Sequence, residues 1–181
     1  MKTIKNTLYF AAVCLSLVFT ACSSSDDDVA AAGDDDGGGE EFFTARVDGA
    51  SFTASTNIVS LIGGTVSTSN GMTVAAGQGS TNSGDFINFS IVGYSGPGTY
   101  ATGDNLTNPN MIQYGELNGT SANVWGSNLA VATLGLSPGQ IVITSDANDV
   151  LEGTFSFEGY NGTDMTTKMI TSGSFKFNID D

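Results

Sequence analysis

Apolar and polar residues alternate along much of the chain after residue 42. In the first such stretch, Phe43, Ala45 and Val47 alternate with Thr44 and Arg46. A period of two places successive side chains on opposite faces of a β-strand, so the pattern predicts strands with one buried and one solvated face. The residues expected to face the core further along are Ile87, Phe89, Ile91, Leu151, Phe155, Phe157, Phe175, Phe177 and Ile179.

Turn signals separate these alternating runs at short intervals. Asp48-Gly49, Asn70-Gly71 and Asn161-Gly162 are dipeptides that favour tight β-hairpin turns. The strands predicted between the turns are Ser51–Ser55, Asn57–Ile62, Thr65–Ser69, Met72–Ala76, Phe86–Val92, Met111–Leu117, Ala122–Trp125, Gln140–Ser145, Val150–Tyr160, Met165–Ile170 and Gly173–Ile179. Since this region shows no helical periodicity, the sequence predicts an all-β fold, an antiparallel β-sandwich or small barrel of about nine or ten short strands.

Residues 1–21 have the features of a secretory leader. Lys2 and Lys5 give it a basic start, and Leu8–Phe19 is an apolar run interrupted only by Ser16. An apolar run of about 7–15 residues is typical of a signal peptide, whereas a membrane-spanning helix needs roughly 20. The sequence therefore predicts that residues 1–21 are removed on export.

The composition changes after the leader. Residues 22–41 are dense in Asp and Glu and contain Gly37-Gly38-Gly39, which predicts a flexible, self-repelling tether. Residues 42–181 then form a single β domain of ordinary size, large enough to bury a core of its own.

Charge and residue types exclude several functions. Acidic residues outnumber basic ones 19 to 5, and the formal net charge is −14. Binding to nucleic acid needs a basic surface, so a nucleic-acid partner is not expected. The chain has no His, and its two Cys, Cys14 and Cys22, precede the predicted domain. Triads that depend on His, Cys–His nucleophiles and zinc sites of His or thiolate are therefore excluded from that domain.

The junction Leu17-Val18-Phe19-Thr20-Ala21-Cys22 resembles the lipobox of bacterial lipoproteins. The resemblance implies cleavage before Cys22 and attachment of diacylglycerol to its thiol, so that the lipid holds the protein at a membrane. Phe19 stands where the commonest lipobox has Leu. The alternative is an ordinary secreted protein, cut near Ala21, with a free thiol at Cys22. No cofactor is expected apart from the acyl lipid.

The residues directly after Cys22 resemble the serine-plus-acidic export signal of lipoproteins from flavobacteria and other Bacteroidota. They are Ser23, Ser24, Ser25, Asp26, Asp27 and Asp28. The resemblance implies an outer-membrane lipoprotein exposed at the cell surface. The alternative is a plain solvated spacer, because segments rich in Ser and Asp cannot bury a core.

Several stretches of the domain resemble an uncharacterised domain family of flavobacterial outer-membrane lipoproteins. They are Phe43–Ala54, Gly96-Pro97-Gly98-Thr99-Tyr100, Gln140–Thr144, Leu151–Phe157 and Thr171–Phe175. The resemblance covers most of residues 43–181 and implies the all-β fold predicted above. It brings no catalytic residues with it.

Carboxylates offer a remote enzymatic alternative. Glu116, Glu152 and Glu158 are candidates for the carboxylate pair of a glycoside hydrolase, whose two groups lie about 5–9.5 Å apart. Glu152 and Glu158 are six positions apart on one predicted strand, which corresponds to roughly 20 Å. The sequence therefore predicts that the protein is not an enzyme.

Asp146, Asn148 and Asp149 are a weak candidate for a calcium site, since carboxylate and amide oxygens are calcium ligands. The run lacks the Gly and the final Glu of a calcium loop. A turn is the commoner meaning of such residues, so no metal is expected.

Aromatic residues are the candidates for ligand binding. Trp125 lies among polar residues and, with Tyr100 and Tyr114, could form an exposed platform that stacks on sugar rings. The competing interpretation places Trp125 in the core, because a Trp side chain buries a large apolar area.

These features together predict a surface-tethered, non-catalytic lipoprotein with a binding or accessory role toward a glycan or a small molecule. The alternative is a structural envelope protein whose partner is another protein. A glycoside hydrolase is the third and most remote possibility.

Overall fold

The computed structural model describes residues 41–55, 63–67, 71–80 and 82–179, with the backbone alone described for 63–67. Its strands form an antiparallel, curled sheet in the shape of a half-barrel, which confirms the predicted all-β class. Several predictions lie outside the described residues: the predicted leader, lipidation at Cys22, the predicted export signal Ser23–Asp28, the predicted tether as far as Glu40 and the predicted strand Asn57–Ile62.

The described residues form eleven strands and one helix. The first strands are β1 (Phe42–Val47), β2 (Ala50–Thr53), β3 (Gly63–Ser67), β4 (Gly71–Ser80), β5 (Ser83–Val92) and β6 (Gly98–Ala101). The remaining elements are β7 (Met111–Asn118), β8 (Ser121–Gly126), α1 (Ser127–Leu134), β9 (Gln140–Ser145), β10 (Val150–Asn161) and β11 (Thr166–Asn178).

All strands belong to one sheet, in the order β2-β1-β11-β10-β8-β7-β5-β4-β3. Strand β10 is where the sheet branches. Its first half pairs with β9, which in turn pairs with β6, and its end pairs with β8 through Tyr160 and Gly126. The sheet curls because its inward face must be covered, and the strand order brings distant parts of the chain onto that one face.

Phenylalanine rings from four strands fill the centre of the inward face. The ring centroids of Phe43 and Phe155 are 5.0 Å apart, and those of Phe89 and Phe175 are 5.4 Å apart. All four side chains are at most 3% exposed. The predicted core positions on these strands are confirmed, with Ile179 partly buried against the same cluster.

Glycines opposite these rings make the close packing possible. Gly153 lies opposite Phe175, and Gly173 lies opposite Phe155, across the β10–β11 ladder. A Cβ on Gly153 would lie 2.5 Å from Cζ of Phe175, and one on Gly173 would lie 2.6 Å from the ring of Phe155. Each glycine therefore leaves the space that the opposite ring occupies.

A β-bulge interrupts β11 at Ser172, whose φ is +52°. The register against both neighbours shifts there, since Phe157 pairs with Ile170 whereas Phe155 pairs with Gly173. The extra residue reverses the alternation, so that residues on both sides of the bulge point inward. Two strands were expected from the sequence over this region, and the structure forms one bulged strand instead.

Helix α1 contradicts the expectation that the domain lacks helices. It begins after Gly126 without a side-chain cap, and it ends at Gly135, whose φ of +65° is left-handed. Ser127 at its start is buried, and its Oγ accepts a hydrogen bond from the Ile112 amide at 3.0 Å. With eight residues, α1 is too short for its apolar side chains to show a clear period of 3.6 in the sequence. No helix in the described ranges has the length and apolar character needed to cross a membrane.

We expect Gly173→Ala to lower the free energy of unfolding by about 1–3 kcal/mol, because the new methyl group must displace the Phe155 ring or its backbone. The measurement is chemical denaturation of the full chain. Gly162→Ala is the matched control, since a Cβ there would meet nothing closer than 4.0 Å. Equal stability of the Gly173→Ala variant and the control would contradict the packing described here.

Candidate functional site

Trp125 is not an exposed platform, and that prediction is wrong. Its side chain is 3% exposed and belongs to the core cluster on the inward face. The indole N–H donates to Oγ1 of Thr166 at 2.9 Å, so its polar atom is satisfied within the protein. The competing interpretation, a core tryptophan, is correct.

Tyr114 is also buried, at 4% exposure, and lies beside Trp125 across the β7–β8 ladder. The two ring centroids are 5.7 Å apart, with a tilt of 33°. Lys168 Nζ lies 5.2 Å from the centroid of the Trp125 ring, within the range of a cation–π contact. The structure thus brings two of the three predicted aromatic residues together, but inside the sheet.

Tyr100 lies elsewhere, near the β9–β10 turn. It packs against Tyr94 with ring centroids 5.7 Å apart, and its hydroxyl donates to the Gly96 carbonyl at 2.6 Å. The Tyr94 hydroxyl donates to Oδ2 of Asp146 at 2.7 Å. Tyr100 is half-buried and fixes this loop, so it does not share a surface with Trp125 and Tyr114.

The proposed calcium-loop fragment is a β-hairpin turn. Asn148 and Asp149 have φ of +57° and +60°, and the Val150 amide donates to the Ala147 carbonyl at 3.2 Å. Two consecutive positive φ values, here at the last two residues before β10, are typical of a type I′ turn, which Asn and Asp favour. In the ranges that the structure covers, no three or more His, Cys, Asp or Glu side chains are grouped as metal ligands.

The three glutamates do not meet. Glu116 lies on β7 beside Tyr114 and Lys168, whereas Glu152 pairs with Lys176 at 2.7 Å on β10. Sequence reasoning missed that Asp85 lies directly opposite Glu116 across the β5–β7 ladder. Only the strand pairing reveals this neighbour.

The inward face becomes polar at one end, where Gln78, Asp85, Tyr114, Glu116 and Lys168 form what we call the end cluster. Gln78 Nε2 donates to Oδ2 of Asp85 at 2.8 Å, and the Tyr114 hydroxyl donates to Oε1 of Glu116 at 3.1 Å. Lys168 Nζ lies 3.2 Å from the same Glu116 oxygen. The core thus ends in a chain of paired polar groups.

The pKa values of the end cluster agree with this pairing. Partial burial opposes the charge of Lys168, but the hydrogen bonds and attraction from Glu116 and Asp48 outweigh it and raise the pKa of the ammonium. Burial, followed by the negative charges of Asp85 and Glu116, raises the pKa of Tyr114 far above its ordinary value. Lys168 and Tyr114 therefore keep their protons more firmly than the free side chains do, and the end cluster closes this end of the core.

A depression on the outer face of β4, β5 and β7 is the better candidate site. It has a volume of about 290 Å³ and is lined mainly by apolar atoms, with Phe86 and Leu117 at its sides and Ala75 and Gly77 along β4. We call it the Phe86 depression. Its size is near the lower end of the range of about 300–1,000 Å³ for small-molecule sites.

Glycines shape the Phe86 depression. Phe86 lies between Gly77 and Gly115 in adjacent strands. A Cβ on Gly115 would overlap the Phe86 ring, so the ring lies over Gly115, whereas a Cβ on Gly77 would meet only a backbone oxygen at 3.5 Å. The ring therefore leans toward β7 and leaves the surface over Gly77 open.

Asn88 adds a polar group to this depression. Its Oδ1 is a buried acceptor without a hydrogen-bond partner, which is unique among the buried side-chain polar atoms of the described residues. An unpaired buried acceptor costs free energy, and a donor from outside can relieve this cost only after the Asn88 side chain turns toward the depression. The sequence signal for this site is the aromatic Phe86 on the otherwise polar face of β5, between Asp85 and the inward Ile87.

Comparison with known proteins gives a family and nothing more specific. A family model described as a domain of unknown function (DUF6252) matches residues 40–179. This match confirms the predicted membership of an uncharacterised domain family and covers the whole described sheet. No curated protein and no solved structure matches the chain significantly.

We expect the stability contributed by Tyr94, Tyr114 and Lys168 to be full below about pH 10 and to fall as the pH rises further. The folded state raises the pKa of Tyr94 and Tyr114 through burial and neighbouring carboxylates, so unfolding releases protons in this range; Lys168 acts in the same direction. Denaturant unfolding at pH 8, 10 and 11 measures the loss. Tyr114→Phe should reduce it, and an unchanged pH dependence of Tyr94→Phe/Tyr114→Phe would contradict the assignment.

Proposed function

Because the chain belongs to this family, which assigns it no activity, we propose its function from its own geometry: it is a surface-tethered, non-catalytic lipoprotein that binds a ligand in the Phe86 depression. The observation that carries the proposal is the outward-facing hollow of about 290 Å³ with an aromatic wall and an unpaired acceptor. Among the described residues, the inward face of the sheet is occupied by a cluster of buried apolar side chains, so the proposal rests on the outer face.

The lining of the depression favours a ligand with one apolar face and a hydrogen-bond donor. A sugar ring has both, since its C–H face can stack on Phe86 while a hydroxyl donates to Asn88 once that side chain turns toward the depression. A small apolar molecule with an N–H or O–H group would fit the same chemistry. We favour a neutral glycan because the site lies on an open sheet face.

The location of the protein at the cell surface is also part of the proposal. The lipobox ending in Cys22 supports cleavage and lipidation at that residue, and each buried CH₂ of the acyl chains contributes about 0.8 kcal/mol to membrane binding. The run Ser23–Asp28 supports display on the outer surface of an outer membrane of the Bacteroidota type. The acidic tether up to Glu41 then separates the domain from the membrane.

A protein partner is the second candidate function, and exposed apolar side chains favour it. Leu106 and Met165 are 90% and 77% exposed, and Leu129 and Leu134 of α1 are also exposed. Hydrolysis is a poorer candidate than either, since Glu116 is engaged by Lys168 and Tyr114, and Glu152 by Lys176.

We expect Phe86→Ala to weaken binding of a neutral glycan by about tenfold or more, because it removes the aromatic wall. A glycan array with the full chain selects the oligosaccharide, and calorimetry gives its Kd. Phe42→Ala, which removes a 39% exposed ring away from the depression, is the control. Absence of any glycan ligand, with a specific protein recovered in pull-downs, would favour the second candidate function.

We expect Cys22→Ser to abolish incorporation of labelled palmitate in a bacterium of the Bacteroidota, whereas Cys14→Ser leaves it intact. Replacement of Ser25–Asp28 by alanine should then protect the lipidated protein from protease added to intact cells. Immunoblotting of the shaved cells measures both effects. Unchanged cleavage of the alanine variant would show that Ser25–Asp28 acts only as a spacer.

A further inference from the structure

A shallow trough crosses the outer face of five neighbouring strands, β9, β10, β11, β1 and β2. It consists of two adjoining hollows, one of about 390 Å³ and one of about 210 Å³, which share Ser172. Four steps between strands, each of about 4.8 Å, give it a length of roughly 19 Å. The trough therefore has room for several linked groups.

Hydroxyl groups line the trough in a row that follows the strand pairing. Thr53 lies opposite Thr44, Thr44 opposite Ser174, and Ser174 opposite Thr154. Within the described part of the chain these four hydroxyls form no hydrogen bond to another residue. Each is free to donate to, and accept from, a ligand.

Ser172 lies where the two hollows meet. It is the extra residue of the β11 bulge, so neither β1 nor β10 supplies a residue opposite it. Its left-handed backbone, at φ +52°, turns the strand locally. Bulges commonly re-aim side chains beside functional sites, and this one opens the outer face at the centre of the trough.

Arg46 is the charged group of the trough. Lys168 and Lys176 form ion pairs with glutamates at 3.2 and 2.7 Å, whereas Arg46 forms none with any residue that the structure describes. Nη1 of Arg46 donates a hydrogen bond to the Gly49 carbonyl at 3.0 Å. Most of the guanidinium donors are therefore available to an anion.

We propose that this trough binds an anionic polysaccharide, whose carboxylate or sulfate pairs with Arg46 while its hydroxyls bond to the row of Ser and Thr. The planar guanidinium binds such oxyanions with two parallel hydrogen bonds. An extended peptide fits less well, because it recognises a free sheet edge, and of the five strands only β2 ends the strand order while the other four pair on both sides. The proposal does not depend on the Phe86 depression.

The test is calorimetry of the full chain in detergent at physiological salt with tetragalacturonate and with a sulfated galactose tetrasaccharide. We expect at least one of them to bind, and Arg46→Gln to weaken that binding about tenfold or more. Lys176→Gln removes the same charge from a paired residue and should change little. The fully methyl-esterified tetragalacturonate, which has no charge, should not bind.

A second variant separates a loss of binding from a loss of folding. Thr154→Val keeps the shape of an exposed side chain and removes one hydroxyl, so it should weaken binding while the melting temperature is unchanged. Failure of both tetrasaccharides to bind, equal affinity of Arg46→Gln and the wild type, or tighter binding of tetraglutamate would each overturn the proposal. Phe86→Ala should leave binding of the anionic ligand intact, which separates this result from that of the neutral glycan.

Discussion

A curled sheet has a single interior, and the side chains of one face must fill it. Here the rings of Phe43, Phe89, Phe155 and Phe175 meet at the centre, with centroid separations of 5.0 to 6.3 Å. They come from four strands, and two of the rings need a glycine opposite them in the β10–β11 ladder. Most other features follow from this packing. Strand order, the inward positions and the closeness of β10 and β11 all serve to bring these rings into contact.

The bulge at Ser172 connects the interior with the outer surface. Ile170 and Phe175 are an odd number of positions apart, so a regular strand would place them on opposite faces. Because the bulge reverses the alternation of β11, both point inward. The same extra residue appears on the outside at the junction of two hollows. The bulge at Ser172 therefore affects both faces of the sheet: it keeps apolar residues of β11 inward and it shapes the outer surface.

Polar groups are divided between a closed network and open surfaces. In the end cluster, Lys168, Glu116 and Tyr114 satisfy one another, so this cluster caps the core. The outer face instead leaves Asn88 Oδ1 and the guanidinium of Arg46 with unused hydrogen-bonding capacity. The two binding sites that we propose therefore both lie on the outer face of the sheet.

The sequence alone predicted most strands of this protein. A period of two and the turn dipeptides predicted most strands and their buried residues, because burial of one face imposes that period locally. Gly153–Phe157 and Gly173–Phe177 share the pattern Gly-x-Phe-x-Phe, but the pattern does not record that Gly153 lies under the ring of Phe175 and Gly173 under that of Phe155. Helix α1, the burial of Trp125 and the partner of Glu116 were decided by tertiary structure. These depend on which strands pair, and pairing joins residues far apart in the chain, so no local pattern records it. The Phe86 depression and the trough with Arg46 exist for the same reason.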